Sequence, residues 1–194
     1  MKKEKLEAIL TTARTAFARY GLRKTNLDEI ARMARVAKGT IYNYFRSKEG
    51  VYLQVLSREV EEIVEEITLS VNREVSPEKK LASFVHSKFQ HMRRAVNILN
   101  LDREGIEEHL HKADTIRNDL FESEVSIVVS ILKEGMEKGV FKLNDILLTA
   151  RAICHSLRGF ELNWLVGGSQ ERIEHYLDEL QRILFFGILS ERNC

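Results

Sequence analysis

Proline is almost absent from this chain. Pro77 is the only one in 194 residues, and glycine occurs just 10 times. Few positions therefore force a helix to stop. Cysteine is equally scarce: Cys154 and Cys194 are the only two. Two cysteines make no disulfide framework; they fit a reducing compartment, with Cys154 in a core and Cys194 on a tail. Long apolar runs are missing too. Met1–Leu10 has no stretch of signal-peptide length, and Ile183–Leu189 is too short to span a bilayer. No Gly-rich phosphate loop and no Gly-x-Ser-x-Gly elbow occurs. With no strand pattern evident, a doubly wound enzyme fold is not expected. The expectation is an all-α cytoplasmic protein that is not an enzyme, with no cofactor and no membrane partner.

Apolar residues recur at helical spacing nearly throughout, amid 30% charged and 44% hydrophobic residues. The net charge of +1 hides an asymmetry. Through Ser57 there are twelve basic residues against five acidic, or +7; the remainder carries 18 basic against 24 acidic, or −6. A basic head on an acidic body suits a nucleic-acid-binding module joined to a part that avoids nucleic acid.

The head reads as three short helices. Leu6, Ile9, Leu10, Ala13, Ala16, Phe17 and Tyr20 form one stripe, and Gly21 follows where a left-handed cap would sit. Asn26-Leu27-Asp28-Glu29 is a capping box by type. It opens a second helix with Leu27, Ile30, Ala31 and Ala34 inward. After a turn at Arg35-Val36-Ala37 comes KGTIYNYFRSKE, Lys38 to Glu49. Wound as a helix, it turns Ile41, Phe45 and in part Tyr44 inward, and Thr40, Tyr42 and Asn43 outward. Hydroxyl and amide groups on one face suit bases and phosphates, with Lys38 and Lys48 as phosphate anchors. Gly39 is unfavourable inside a helix by about 1 kcal/mol relative to Ala, which close approach of a DNA backbone would explain. Ser47 is placed to cap the next helix, whose amides and Lys48 suit a phosphate.

The order AFARYG, TNLDEIA, KGTIYNYFRSKE, from about Ile9 to Leu56, resembles the tetracycline-repressor (TetR) family of bacterial transcriptional regulators. The resemblance implies a homodimer that binds a double-stranded DNA operator through an N-terminal three-helix helix-turn-helix domain. It also implies a larger helical domain for dimerisation and for a small-molecule effector. Carried over by position, Thr40, Tyr42 and Asn43 fall where the family contacts bases and phosphates. Lys38, Gly39, Tyr44 and Lys48 fall among its backbone-contacting positions. Two places depart from the family: Arg35 stands where a turn Gly is usual, and Ala37 where a Ser or Thr caps the third helix. Loss of that hydroxyl cap costs roughly 1 kcal/mol. The implied division is residues 1–47 for DNA and 48–194 for ligand and dimer, with about nine helices in all. The implied function is a repressor released from a palindromic operator.

The body continues with a helix over Val51–Val71: Val55, Val60, Ile63, Val64 and Ile67 lie inward, and Glu61, Glu62, Glu65 and Glu66 outward. Ser76-Pro77 opens the next, striped by Leu81, Phe84, Val85, Phe89 and Met92. A short helix is expected over Arg103–His111, and a long one over Asp114–Lys138 ending at Gly139, with Ile116, Leu120, Val125, Val128 and Leu132 inside. Asn144 is placed to cap a helix through Leu165. After Gly167-Gly168, Ser169 opens a last helix striped by Ile173, Tyr176, Leu177, Leu180, Ile183 and Leu184. Two such C-terminal helices from each subunit suit a four-helix dimer interface. A cavity lined by Phe89, Met92, Phe121, Val125, Leu157 and Phe160 would take a hydrophobic or amphipathic effector. His155, Arg158, Glu161 and Trp164 could add polar specificity. Glu108 and His111 have the spacing of a di-iron helix, but no second Glu-x-x-His pair exists, so no metal is expected. The alternative is a helical RNA- or protein-interaction module with a basic head; two Tyr on one short helix make no stacking platform for it.

Overall fold

The computed structural model describes residues 2–92, 97–98, 111–165 and 170–186. Within them are eight helices and no strand. These are α1 Lys2–Lys24, α2 Leu27–Met33, α3 Lys38–Phe45, α4 Lys48–Asn72, α5 Pro77–Met92, α6 His111–Glu137, α7 Ile146–Leu165 and α8 Gln170–Phe186. The all-α expectation holds. The helix expected over Arg103–His111 lies outside the described residues except for His111, which begins α6. The break at Gly167-Gly168 and the opening at Ser169 lie outside them as well, as do Cys194 and the chain beyond Phe186.

The chain divides into two compact units, Met1–Glu65 with His91–Ser123, and Glu66–Gln90 with Glu124–Cys194. In the first unit, Ile9, Leu10, Ala13 and Phe17 of α1 are buried with Leu27, Ile30 and Ala31 of α2 and Ile41 of α3. Val51, Tyr52, Val55 and Leu56 of α4 join that core, and Phe17 meets the Tyr52 ring edge-on at 4.9 Å between centroids. Gly21 breaks α1 as expected, at φ 72°, ψ 170°. Thr25 closes the break by donating its hydroxyl to the Gly21 carbonyl at 2.6 Å. Tyr20 departs from the expected stripe. It is 48% exposed, and the Arg19 guanidinium lies 5.2 Å from its ring centroid. A ring with a hydroxyl tip stays wet at little loss when a cation covers its face.

One buried carboxylate gathers this unit. Glu59 accepts hydrogen bonds from Arg14 Nε at 3.1 Å, Asn97 Nδ2 at 2.7 Å and the Ile98 amide at 3.0 Å. Burial pushes its pKa above the usual carboxylate value, against the opposing pull of Asn97, Ile98 and Arg14.

In the second unit, Leu81, Phe84, Val85 and Phe89 of α5 are buried, as are Val125, Val128, Ile131 and Leu132 of α6 and Ile153, Cys154 and Leu157 of α7. Lys88 and Glu124 form an ion pair inside this apolar set, with side chains 1% and 3% exposed. Pro77 opens α5 behind Ser76, as read from the sequence. Gly139 ends α6 at φ 70°, with Val140 N donating to the Gly135 carbonyl and Gly139 N to that of Met136. The cap of α7 is not Asn144 but Asp145, whose Oδ1 accepts from the Leu148 amide at 2.9 Å. Both residue types cap well; the helix begins one residue later than the sequence pattern implied. On α8 Leu177 is buried, whereas Tyr176 and Ile183, expected in the same apolar stripe, are 49% and 38% exposed.

Candidate nucleic-acid interface

The α2–α3 turn shows how the departures from the family pattern are accommodated. α2 closes with two bonds, Arg35 N to the Arg32 carbonyl at 3.2 Å and Val36 N to the Ala31 carbonyl at 3.0 Å. Such a closure needs a left-handed residue at its hinge, the role glycine fills without strain. Here Arg35 takes it, at φ 56°. Ala37 then occupies the N-cap of α3 with no side-chain hydrogen bond, so the hydroxyl cap is lost and not replaced. By contrast Asn26 caps α2 by accepting from the Asp28 amide at 2.9 Å.

α3 follows its sequence reading except at Thr40. Ile41 is fully buried, Phe45 and Tyr44 are half-buried with rings 6.1 Å apart, and Tyr42 and Asn43 are exposed. Thr40, expected outward, is half-buried like Tyr44 and Phe45, and a Cβ added to Gly39 would meet nothing within 4 Å. The face carrying Gly39, Tyr42 and Asn43 is thus open to a large partner.

The two lysines are less open than their positions implied. Lys38 donates to Asp28 Oδ2 at 2.9 Å, a bond from α3 back to α2 that raises the ammonium's pKa. Lys48 donates to the Arg23 carbonyl at 3.2 Å and the Thr25 carbonyl at 3.3 Å. Its ammonium therefore ties α4 to the end of α1, a role that residue type alone does not reveal. Ser47 caps α4 as expected, accepting from the Gly50 amide at 3.0 Å.

The α3–α4 junction is tight. Arg46 sits at φ 67°, ψ −36°. Ser47 N reaches back to the Phe45 carbonyl at 2.8 Å, closing a strained γ-turn. A Cβ on Gly50 would lie 2.1 Å from the Phe45 carbonyl oxygen, so only glycine lets the two helices meet this way.

Residues 9–55 match the model of bacterial regulatory proteins of the tetR family. The N-terminal domain belongs to the TetR family. The chain is 21% identical to the fatty acid metabolism regulator protein of Bacillus subtilis over 188 residues, 96% of this chain and 97% of that one. In fold it resembles the Bacillus subtilis transcriptional regulator FadR, solved with stearoyl-CoA, at TM-score 0.76 and 21% identity, covering 94% and 99% of the two chains. A candidate fatty acid metabolism regulator from Clostridium perfringens gives TM-score 0.71 and 29% identity, covering 95% and 100%. The family match thus covers the N-terminal domain, and over its full length the chain is similar to transcriptional regulators.

The residues expected to line an effector cavity are placed as follows. Phe89, Val125 and Leu157 are buried in the second unit, and Phe121 in the first. The side chains of Met92 and Phe160 lie outside the described residues, as do those of Glu161 and Trp164. His155 is exposed and Arg158 half-buried. No group of three or more metal-ligating side chains occurs among the described residues, and none of their helices is long and apolar enough to cross a membrane.

Proposed function

We infer that this regulator is a cytoplasmic repressor that binds a palindromic operator as a homodimer and leaves it when a hydrophobic or amphipathic effector binds. The observation that carries the reading is the open face of α3, where Tyr42 and Asn43 are exposed above a buried Ile41. Thr40, Tyr42 and Asn43 then contact bases and phosphates, while Lys38, Gly39, Tyr44 and Lys48 hold the backbone. The functional boundary falls at the α3–α4 junction, with residues 1–47 for DNA and 48–194 for effector and dimer. The exposed Tyr176 and Ile183 on α8 and Leu147 and Leu148 on α7 support a partner subunit on those helices.

For the effector, the relatives named for fatty acid metabolism, and the stearoyl-CoA in one of their structures, favour a long-chain acyl compound. Phe89, Val125 and Leu157 are its proposed contacts, apolar and buried in one unit. Linkage sets the test: if effector weakens DNA binding, operator must weaken effector binding by the same factor, typically about 5- to 150-fold. Acyl thioesters and fatty acids are titrated with and without saturating operator duplex. Unequal affinities of that order support the reading; equal affinities mean the compound is no inducer.

A further inference from the structure

The two residues that bracket α3 share three properties. Arg35 precedes it and Arg46 follows it; both have positive φ, at 56° and 67°, and both are exposed. Neither guanidinium makes a hydrogen bond or ion pair with a described residue. That isolation contrasts with Lys38, held by Asp28, and Lys48, held by two carbonyls. Arg32 is exposed as well, but it stands on ordinary helical backbone, so nothing separates it from a solvated surface residue.

Backbone strain sharpens the contrast. A non-glycine residue in these conformations is disfavoured relative to glycine. Local stability therefore argues against arginine at both turns, and no internal contact of either side chain compensates. The eight residues of α3 rise about 12 Å, comparable with the roughly 12 Å width of the B-DNA major groove. Each strained turn thus presents a free, permanently charged fork at one end of the helix that enters the groove.

We propose that Arg35 and Arg46 form a phosphate clamp on duplex DNA, gripping the backbone on either side of the groove that α3 reads. The clamp, rather than Lys38 and Lys48 alone, supplies the salt-dependent part of binding. This rests on the reading of α3 as the DNA-reading helix. Both side chains are planar donors that match phosphate geometry.

The test measures duplex affinity against salt for the full chain and for Arg35→Gly, Arg46→Gly and the corresponding Lys variants, with thermal unfolding of each. Each lost phosphate contact lowers the slope of log affinity against log salt by about 0.9. A homodimer losing one contact per subunit should drop by about 1.8. The affinity lost between 50 and 200 mM salt then shrinks by about twelvefold. The glycine variants should melt no lower than the parent, because glycine relieves the positive φ; the lysine variants should keep most of the slope. Unchanged slopes in both glycine variants overturn the clamp. So does a melting temperature that falls together with affinity, the mark of a structural role. Tyr42→Ala separates the two readings. If it weakens binding while the glycine variants do not, the clamp alone fails. If it binds normally and the glycine variants keep the parent slope, the α3 reading fails and the clamp with it. A preference for RNA over duplex at matched salt also overturns the clamp, which is argued for the B-form major groove.

Discussion

Replacing Gly50 by Ala should separate two things that usually travel together, helix propensity and tertiary fit. Within α4 alone, Ala is favoured over Gly by about 1 kcal/mol. The structure opposes that gain with a single contact: the new Cβ would fall 2.1 Å from the Phe45 carbonyl oxygen, where ordinary contact begins near 3.4 Å. The start of α4 must move away from the end of α3 by about 1.3 Å to admit it. The obstacle is backbone, so no side-chain rotation relieves it. Overpacking of this kind costs about 1–3 kcal/mol and sometimes more. The expected balance is a net loss of up to about 2 kcal/mol. In a chain of this length each kcal/mol corresponds to about 2–4 °C in melting temperature. The displacement also moves Thr40, Tyr42 and Asn43 relative to α4, so duplex affinity should fall by more than stability alone explains. Thermal unfolding and a gel-shift titration read the two effects. A Gly50→Ala protein that melts higher than its parent and binds duplex equally well would refute the reasoning.

Three further outcomes follow from other parts of the chain. Gly39→Ala should gain roughly 1 kcal/mol in chemical denaturation, since its Cβ meets nothing, yet weaken duplex binding where the DNA backbone approaches; stronger binding would argue that no backbone comes close. Lys88→Met should lose about 3–5 kcal/mol by removing the ammonium from a buried carboxylate, while Lys88→Met with Glu124→Leu should recover most of it or exceed the parent. Equal stability of the parent and the single variant would mean that the pair is not buried as described. For Glu59 the folded pKa lies above the ordinary 4.5, so the native state holds this proton more tightly than the unfolded chain. Its contribution is most favourable below about 4.5 and declines as pH rises through the raised folded value. The stability of the parent minus that of Glu59→Gln should therefore fall across that window, and a rise would contradict the sign.

Much of this arrangement was legible in the residues because periodicity and capping are local. The stripe Ile9, Leu10, Ala13, Phe17 and the caps at Asn26, Ser47 and Gly139 stand where spacing and residue type put them. Asn144 and Asp145 are adjacent and both cap well, so sequence could not choose between them. What stayed hidden depends on partners distant in the chain. Glu59 looks like any helical carboxylate until Arg14, Asn97 and Ile98 converge on it. Lys48 reads only as a phosphate anchor, and its tie to the carbonyls of Arg23 and Thr25 shows once the fold brings them within reach. Arg35 did carry a signal, as a non-glycine in a turn that favours glycine; its positive φ turns that oddity into a statement about where strain is held. The exposed Tyr176 and Ile183 show the opposite limit, since an apolar stripe does not say which surface covers it.

The most direct measurement is an unbiased selection of genomic duplex fragments by the parent protein and by Asn43→Ala, side by side. The parent should enrich an imperfect palindrome whose half-sites are centred about 34 Å apart, one turn of duplex. Asn43→Ala should keep that spacing but change the bases preferred within each half-site. Enrichment of asymmetric single sites, or of the same half-site bases by both proteins, would contradict the account of α3 as the element that reads the operator.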